Sequence, residues 1–176
     1  IRCWLTAFDR AAQEAGGNLN EPSGLRFHRI GEHRLDLETH STLFSGEQSN
    51  SSVAFGEDAL MKVFRKINPG VNPDISVHDV LTRAGSDHVA QLYGWLDWVD
   101  GDPTSDAEAG SGTTLQLAML QQFLRTASDG WDLALASVRN LYAEADLHAF
   151  EAGGDFAAEA ERLAVALREV HDVLAE

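Results

Sequence analysis

One lysine interrupts an apolar run in this chain: Lys62, inside Ala59-Leu60-Met61-Lys62-Val63-Phe64. An ammonium group held among apolar neighbours is costly unless it meets an anion. Just upstream stands a run of small polar residues, Ser49-Asn50-Ser51-Ser52, preceded by Glu47-Gln48. The apolar Val53-Ala54-Phe55 and the turn residues Gly56-Glu57-Asp58 separate the two. A polar loop, a tight hairpin and a lysine on the return strand suit phosphate handling: backbone amides cradle oxygens and the lysine supplies a point charge. The bland alternative is a plain antiparallel sheet whose lysine snorkels to solvent.

Other reactive residue types carry less. His28, His33 and His40 lack ligand spacing and read as surface residues rather than a metal site. His171 reads as structural, and so does Cys3, a packed thiol on or near a helix face. The acidic stretch 100–112 lacks the ligand spacing of a calcium loop and reads as a solvated hairpin loop.

Composition narrows the function classes. The chain has 176 residues, enough for one domain or two small subdomains with a real core. With 13 Lys plus Arg against 28 Asp plus Glu, the formal charge is −15, which disfavours nucleic acid and anionic membranes as partners. A nucleotide can still bind where a few cations converge. A single cysteine excludes an internal disulfide framework and suits a reducing, cytoplasmic setting. No apolar run approaches a membrane span, and no signal peptide is visible.

The elements that must position Lys62 follow from periodicity. Arg2 to Ala15 has helical spacing and stops at Gly16-Gly17. Residues 24–30 alternate as a half-buried strand, and Gly31 to His40 is polar. After the hairpin, Asn72-Pro73 is a helix start, with Asn72 as cap and Pro73 in the first turn. Ile75, Val77, His78, Val80 and Leu81 would be the apolar side of that helix, which ends near Ala84-Gly85. Val89 to Val99 and Thr113 to Leu124 read as strands, with Gly94 a bulge. Helices follow over Trp131 to Phe150 and, after Gly153-Gly154 and a capping Asp155, along the stripe Phe156, Ala160, Leu163, Ala164, Leu167, Val170 and Leu174. The fold class is α+β, an antiparallel sheet with an inserted helix followed by helices. That order is the arrangement of a protein-kinase-like small lobe leading into a larger one.

Several strings carry a resemblance to a known family. They are Glu47-Gln48-Ser49-Asn50-Ser51-Ser52-Val53, Leu60-Met61-Lys62-Val63-Phe64-Arg65-Lys66 and Gly70-Val71-Asn72-Pro73-Asp74-Ile75. Leu81-Thr82-Arg83-Ala84-Gly85, Ala136-Ser137-Val138-Arg139 and Gly153-Gly154-Asp155-Phe156-Ala157 continue it. From Glu47 to about Ala175 the chain resembles actinobacterial maltokinases, which use ATP to make maltose 1-phosphate on an aminoglycoside-phosphotransferase-like bilobal fold. The resemblance implies that Gln48, Ser49, Asn50, Ser51 and Ser52 form the phosphate-covering loop. It implies that Lys62 holds the nucleotide phosphates. Met119-Leu120-Gln121-Gln122-Phe123-Leu124 then becomes the hinge between lobes, with backbone groups of Gln122 and Leu124 toward adenine. The acidic partner of Lys62 would lie on the inserted helix. Ser76 stands where many relatives carry glutamate, which leaves Asp74 or Asp79 as possible substitutes.

The family's catalytic loop, His-Gly-Asp-x-His-x-x-Gln, and its magnesium-binding Asp-Phe-Glu do not occur in these 176 residues. No catalytic residue and no metal ligand is therefore assigned, and the ligands for Mg2+ are expected outside this chain. The implied division is a cap subdomain ending at residue 40, a small lobe over 41–128 and the first large-lobe helices over 129–176. The implied partners are ATP and maltose or a related sugar, the latter through the missing lobe, and possible docking to a trehalose synthase. The alternatives are another sugar or aminosugar kinase of the same fold and a non-catalytic module that docks a trehalose synthase.

Overall fold

A computed structural model describes residues 2–44, 49–99, 113–125, 129–143, 148 and 156–176, with the backbone alone of Ala157. By internal contacts the chain divides into Ile1–Leu124 and Arg125–Glu176.

The first unit is a seven-stranded antiparallel sheet with a helix on each face. Its elements are α1 (Arg2–Gln13), β1 (Asn18–Asn20), β2 (Leu25–Arg29), β3 (Ser41–Phe44), β4 (Asn50–Phe55), β5 (Ala59–Phe64), α2 (Pro73–Arg83), β6 (Leu92–Val99) and β7 (Thr114–Gln122). In space the strands run β1-β2-β6-β7-β5-β4-β3. The strands from residues 1–40 are thus continuous with the rest of the sheet, β2 pairing with β6.

Alternation along the strands gives the sheet its two faces. On one, Leu5, Phe8 and Ala11 of α1 join Phe27, Met61, Leu96, Ala118 and Leu120 in the main core. Phe8 meets Phe27 edge-on, ring centroids 5.2 Å apart. On the other face, Ile75 of α2 packs with Phe64, Leu92 and Met119. The helix start at Asn72 is as expected: its side chain accepts a hydrogen bond from the Asp74 amide at 2.9 Å, and Pro73 occupies the first turn. Of the apolar side expected for this helix, Ile75 and Leu81 are buried and Val80 is exposed.

The bulge expected at Gly94 is present, as a register shift between Leu92 and Gly94. A Cβ at Gly94 would run into the carbonyl of His28 on the neighbouring strand, so only glycine lets β2 and β6 approach this closely.

Two strands were not foreseen. β1 reads Asn-Leu-Asn, and its two asparagines disfavour extended structure. β3 is an edge strand exposed at all four residues, so no burial alternation marks it.

The second unit contains α3 (Gly130–Ala143) and α4 (Phe156–Leu174). Residues 144–147 and 149–155, including the expected Gly153-Gly154 break and the Asp155 cap, lie outside the described residues. The apolar stripes expected here are present in sequence but uncovered: Trp131 is 71% exposed, Tyr142 80% and Leu163 65%. Two helices alone lack a third surface to close a core.

Candidate functional site

Lys62 sits in the middle of β5, half-buried, opposite Ser52 of β4 and Met119 of β7. It has the strand parity of Phe64, which packs against Ile75, so its side chain leaves the sheet on the face that α2 covers. Ser52 across from it is buried. Among the described residues Lys62 makes no ion pair.

The polar run takes a different shape from the expected loop. Asn50, Ser51 and Ser52 are strand residues paired with Phe64, Val63 and Lys62. Ser49 alone of the described four precedes the strand, and Gln48 lies outside the described residues. Six polar and small residues in a row read as a loop, yet Asn50 to Ser52 are drawn into the ladder by the apolar Val53-Ala54-Phe55 that continues it.

Arg65 was overlooked. Its amide donates to the Ser49 carbonyl at 3.3 Å, and its Nε donates to Ser51 Oγ at 3.2 Å. With Lys62 and Lys66 it puts three cations within five residues of a strongly acidic chain. That local excess of positive charge was the available signal.

The proposed acidic partners of Lys62 fare unequally. Asp79 is engaged by Arg83 one turn on, Nε to Oδ1 at 2.7 Å. Asp74 is exposed in the first turn of α2, where a carboxylate suits the helix dipole. Ser76 turns its hydroxyl back to the Pro73 carbonyl at 3.2 Å. The helix is tied to the sheet at both ends. The Asn72 amide donates to Gln116 Oε1 at 2.5 Å, and the Leu92 amide donates to Thr82 Oγ1 at 2.9 Å.

At the end of β7 successive backbone groups point to opposite neighbours. The Phe123 amide donates to the Asp58 carbonyl at 2.8 Å, so the backbone groups of Gln122 turn the other way. There the Gln122 amide is taken by the Gln91 carbonyl at 2.8 Å, and the Gln122 side-chain oxygen accepts from the Gln91 amide at 3.4 Å. Both Gln91 backbone groups are thereby engaged with Gln122. Leu124 follows outside the strand, half exposed. Two further residues stand at this end. Phe44, at the tip of β3, approaches Phe123 with ring centroids 5.8 Å apart. Gln121 is buried, with Oε1 lacking any hydrogen-bond partner.

A second polar cluster lies on the turn side of the same hairpin. Arg29 is 6% exposed and donates to the carbonyls of Tyr93 (2.7 Å) and His33 (2.5 Å). Burial pulls its pKa below the usual guanidinium value, with Asp9, Tyr93 and Asp58 opposing. Burial, with Asp58 adding to it, pushes the Tyr93 phenol up, against the pull of Arg29. Among the described residues no group of three His, Cys, Asp or Glu is placed to hold a metal ion. Nor is any helix there long and apolar enough to cross a membrane.

No protein-family model matches the chain. Solved structures do. A glucosamine kinase in complex with glucosamine, ADP and inorganic phosphate aligns with a TM-score of 0.61 at 22% identity, over 94% of this chain and 34% of that one. Crystal form A of a glucosamine kinase gives 0.60 and 22%, over 87% and 32%. Crystal form B gives 0.52 and 25%, over 70% and 27%. The chain therefore has a kinase-like fold, and it spans about a third of the length of the structures it matches.

Proposed function

We propose that this chain is the nucleotide-holding part of an ATP-dependent sugar kinase. The observation that carries the reading is the place of Lys62: half-buried on the α2 face of an antiparallel sheet, without a carboxylate partner among the described residues, on the strand next to β7, which ends at Gln122. A half-buried lysine with no anion among its described neighbours is a group that gains by binding one. The fold shared with a kinase solved with ADP and phosphate supports the same reading.

In this reading Lys62 neutralises phosphate oxygens, and Ser49, just before β4, offers its backbone amide to them. The carbonyl of Gln122 and the backbone of Leu124 take the base. ATP is a co-substrate, and these residues would act by binding and positioning it. Residues 1–40 form a cap that extends the sheet, and 129–176 begin a second lobe. The ligands for magnesium are expected outside this chain.

The acceptor is a sugar hydroxyl. Maltose comes first on the resemblance of Glu47–Lys66 and the strings that follow. Glucosamine is the second candidate, favoured by the solved structures that share the fold. Incubation of the full-length protein with ATP and each sugar, read by 31P NMR for a new phosphosugar resonance, tests both. A product with maltose supports the first reading and a product with glucosamine alone the second. No ATP binding at millimolar concentration would sink the kinase reading itself.

A further inference from the structure

The turn that joins β4 to β5 is fastened from outside the hairpin. The connection between β2 and β3, residues 30–40, crosses it and holds it at two positions. At Gly56 the amide donates to the His40 carbonyl at 2.9 Å, and the φ of +57° with the Thr39 side chain alongside leaves no room for a Cβ. At Asp58, Oδ2 meets His33 Nε2 at 2.8 Å.

His33 is itself held in place from the interior of the sheet. Its ring stacks on Tyr93 at 4.1 Å and 8°. Its carbonyl accepts from the buried Arg29, whose other Nη donates to the Tyr93 carbonyl. The imidazole is therefore fixed by a stack and by a buried guanidinium before it reaches Asp58. Asp58 in turn faces two ways. Its carboxylate meets His33, and its carbonyl accepts the Phe123 amide at 2.8 Å. Phe123 stands between Gln122 and Leu124, the two residues assigned to the base.

We propose that His33 is a positioning residue: through Asp58 it fixes the backbone of Phe123, and so the strand end that receives the nucleotide base. The proposal rests on the nucleotide reading above for its ligand, but not for its geometry. The tie needs a donor at the position of Nε2, which a neutral imidazole supplies through its Nε2–H. It needs no change of charge. An ordinary turn staple would contribute to global stability alone, with no selective effect at Phe123.

Three variants test this. His33→Phe keeps the stack on Tyr93 and removes the donor, Asp58→Ala removes the acceptor, and His33→Gln restores a donor at the reach of Nε2. Residue-resolved amide exchange by NMR in the absence of ligand is the first measurement. Phe123 should exchange about tenfold faster in His33→Phe and Asp58→Ala, while strand amides of β6 keep their rates; the fold-change is that of losing one hydrogen bond to a charged group. His33→Gln should return toward the parent rate. The second measurement is ATP affinity by calorimetry, expected to weaken about fivefold in the first two variants and to recover in His33→Gln. Unchanged exchange at Phe123, or His33→Gln behaving like His33→Phe, overturns the proposal. A parent protein that binds no ATP would overturn the kinase reading, and the exchange measurement would still decide the latch.

Discussion

Replacing Lys62 by methionine separates the two explanations of a lysine in a sheet. The side chains are alike in length and both are unbranched, so the strand partners Ser52 and Met119 keep their packing. With no anion partner among the described residues, the half-buried lysine is a cost to the free protein. Relieving it should leave stability unchanged or raise it by up to about 1 kcal/mol, the lower end of the penalty for an unpartnered buried polar group. Binding moves the other way. Loss of a charge-assisted contact to phosphate, about 2 kcal/mol, weakens ATP roughly thirtyfold. Both effects appear in one set of urea melts. At ATP one hundred times the parent dissociation constant, linkage stabilises the parent by about 2.7 kcal/mol. For Lys62→Met the same concentration is only about three times the weakened constant, and the gain falls to about 0.8 kcal/mol. Destabilisation by more than about 1 kcal/mol without ATP would mean that Lys62 has a structural partner. An undiminished ATP gain would mean that it does not touch the nucleotide. Either result refutes the reasoning.

Other outcomes follow from the same geometry. Asn72→Ala removes the cap of α2 and should cost about 1 kcal/mol in urea unfolding, whereas Asn72→Asp should cost little. Gly94→Ala drives a Cβ into the His28 carbonyl and should cost about 1–3 kcal/mol, read as a lowered midpoint. The raised phenol of Tyr93 sets a pH dependence: below about pH 10 both states keep the proton and its contribution is constant. Above that the unfolded chain loses the proton first, so stability falls as pH rises through the folded value. The fall should be shallower in Tyr93→Phe, measured by chemical denaturation from pH 8 to 12.

Much of the architecture is legible before any coordinates. The Asn72-Pro73 start of α2, the hairpin around Gly56 and the bulge at Gly94 each have a local cause, a cap, a left-handed turn residue or a missing Cβ, and each stands where expected. Lys62 was conspicuous for the same reason: its polarity breaks a local pattern. What escaped depends on partners far along the chain. β1 and β3 are short, polar or exposed, and are strands only because β2 and β4 offer edges to pair with. Asn50 to Ser52 read as loop from composition, but their register with Lys62 to Phe64 is set by the hairpin as a whole. The engagement of Asp79 by Arg83 follows helical spacing and was open to inspection. That of Asp58 by His33, 25 residues apart, was not. Nor does composition say what covers Trp131, Tyr142 and Leu163.

The claim on which the account turns is that ATP sits against Lys62 and the end of β7. Amide exchange with and without saturating ATP measures this directly. The account predicts added protection at Ser49 to Ser52, Lys62 and Leu124, with β1 and α1 unchanged. Protection elsewhere, or none at these residues while ATP binds, would contradict it.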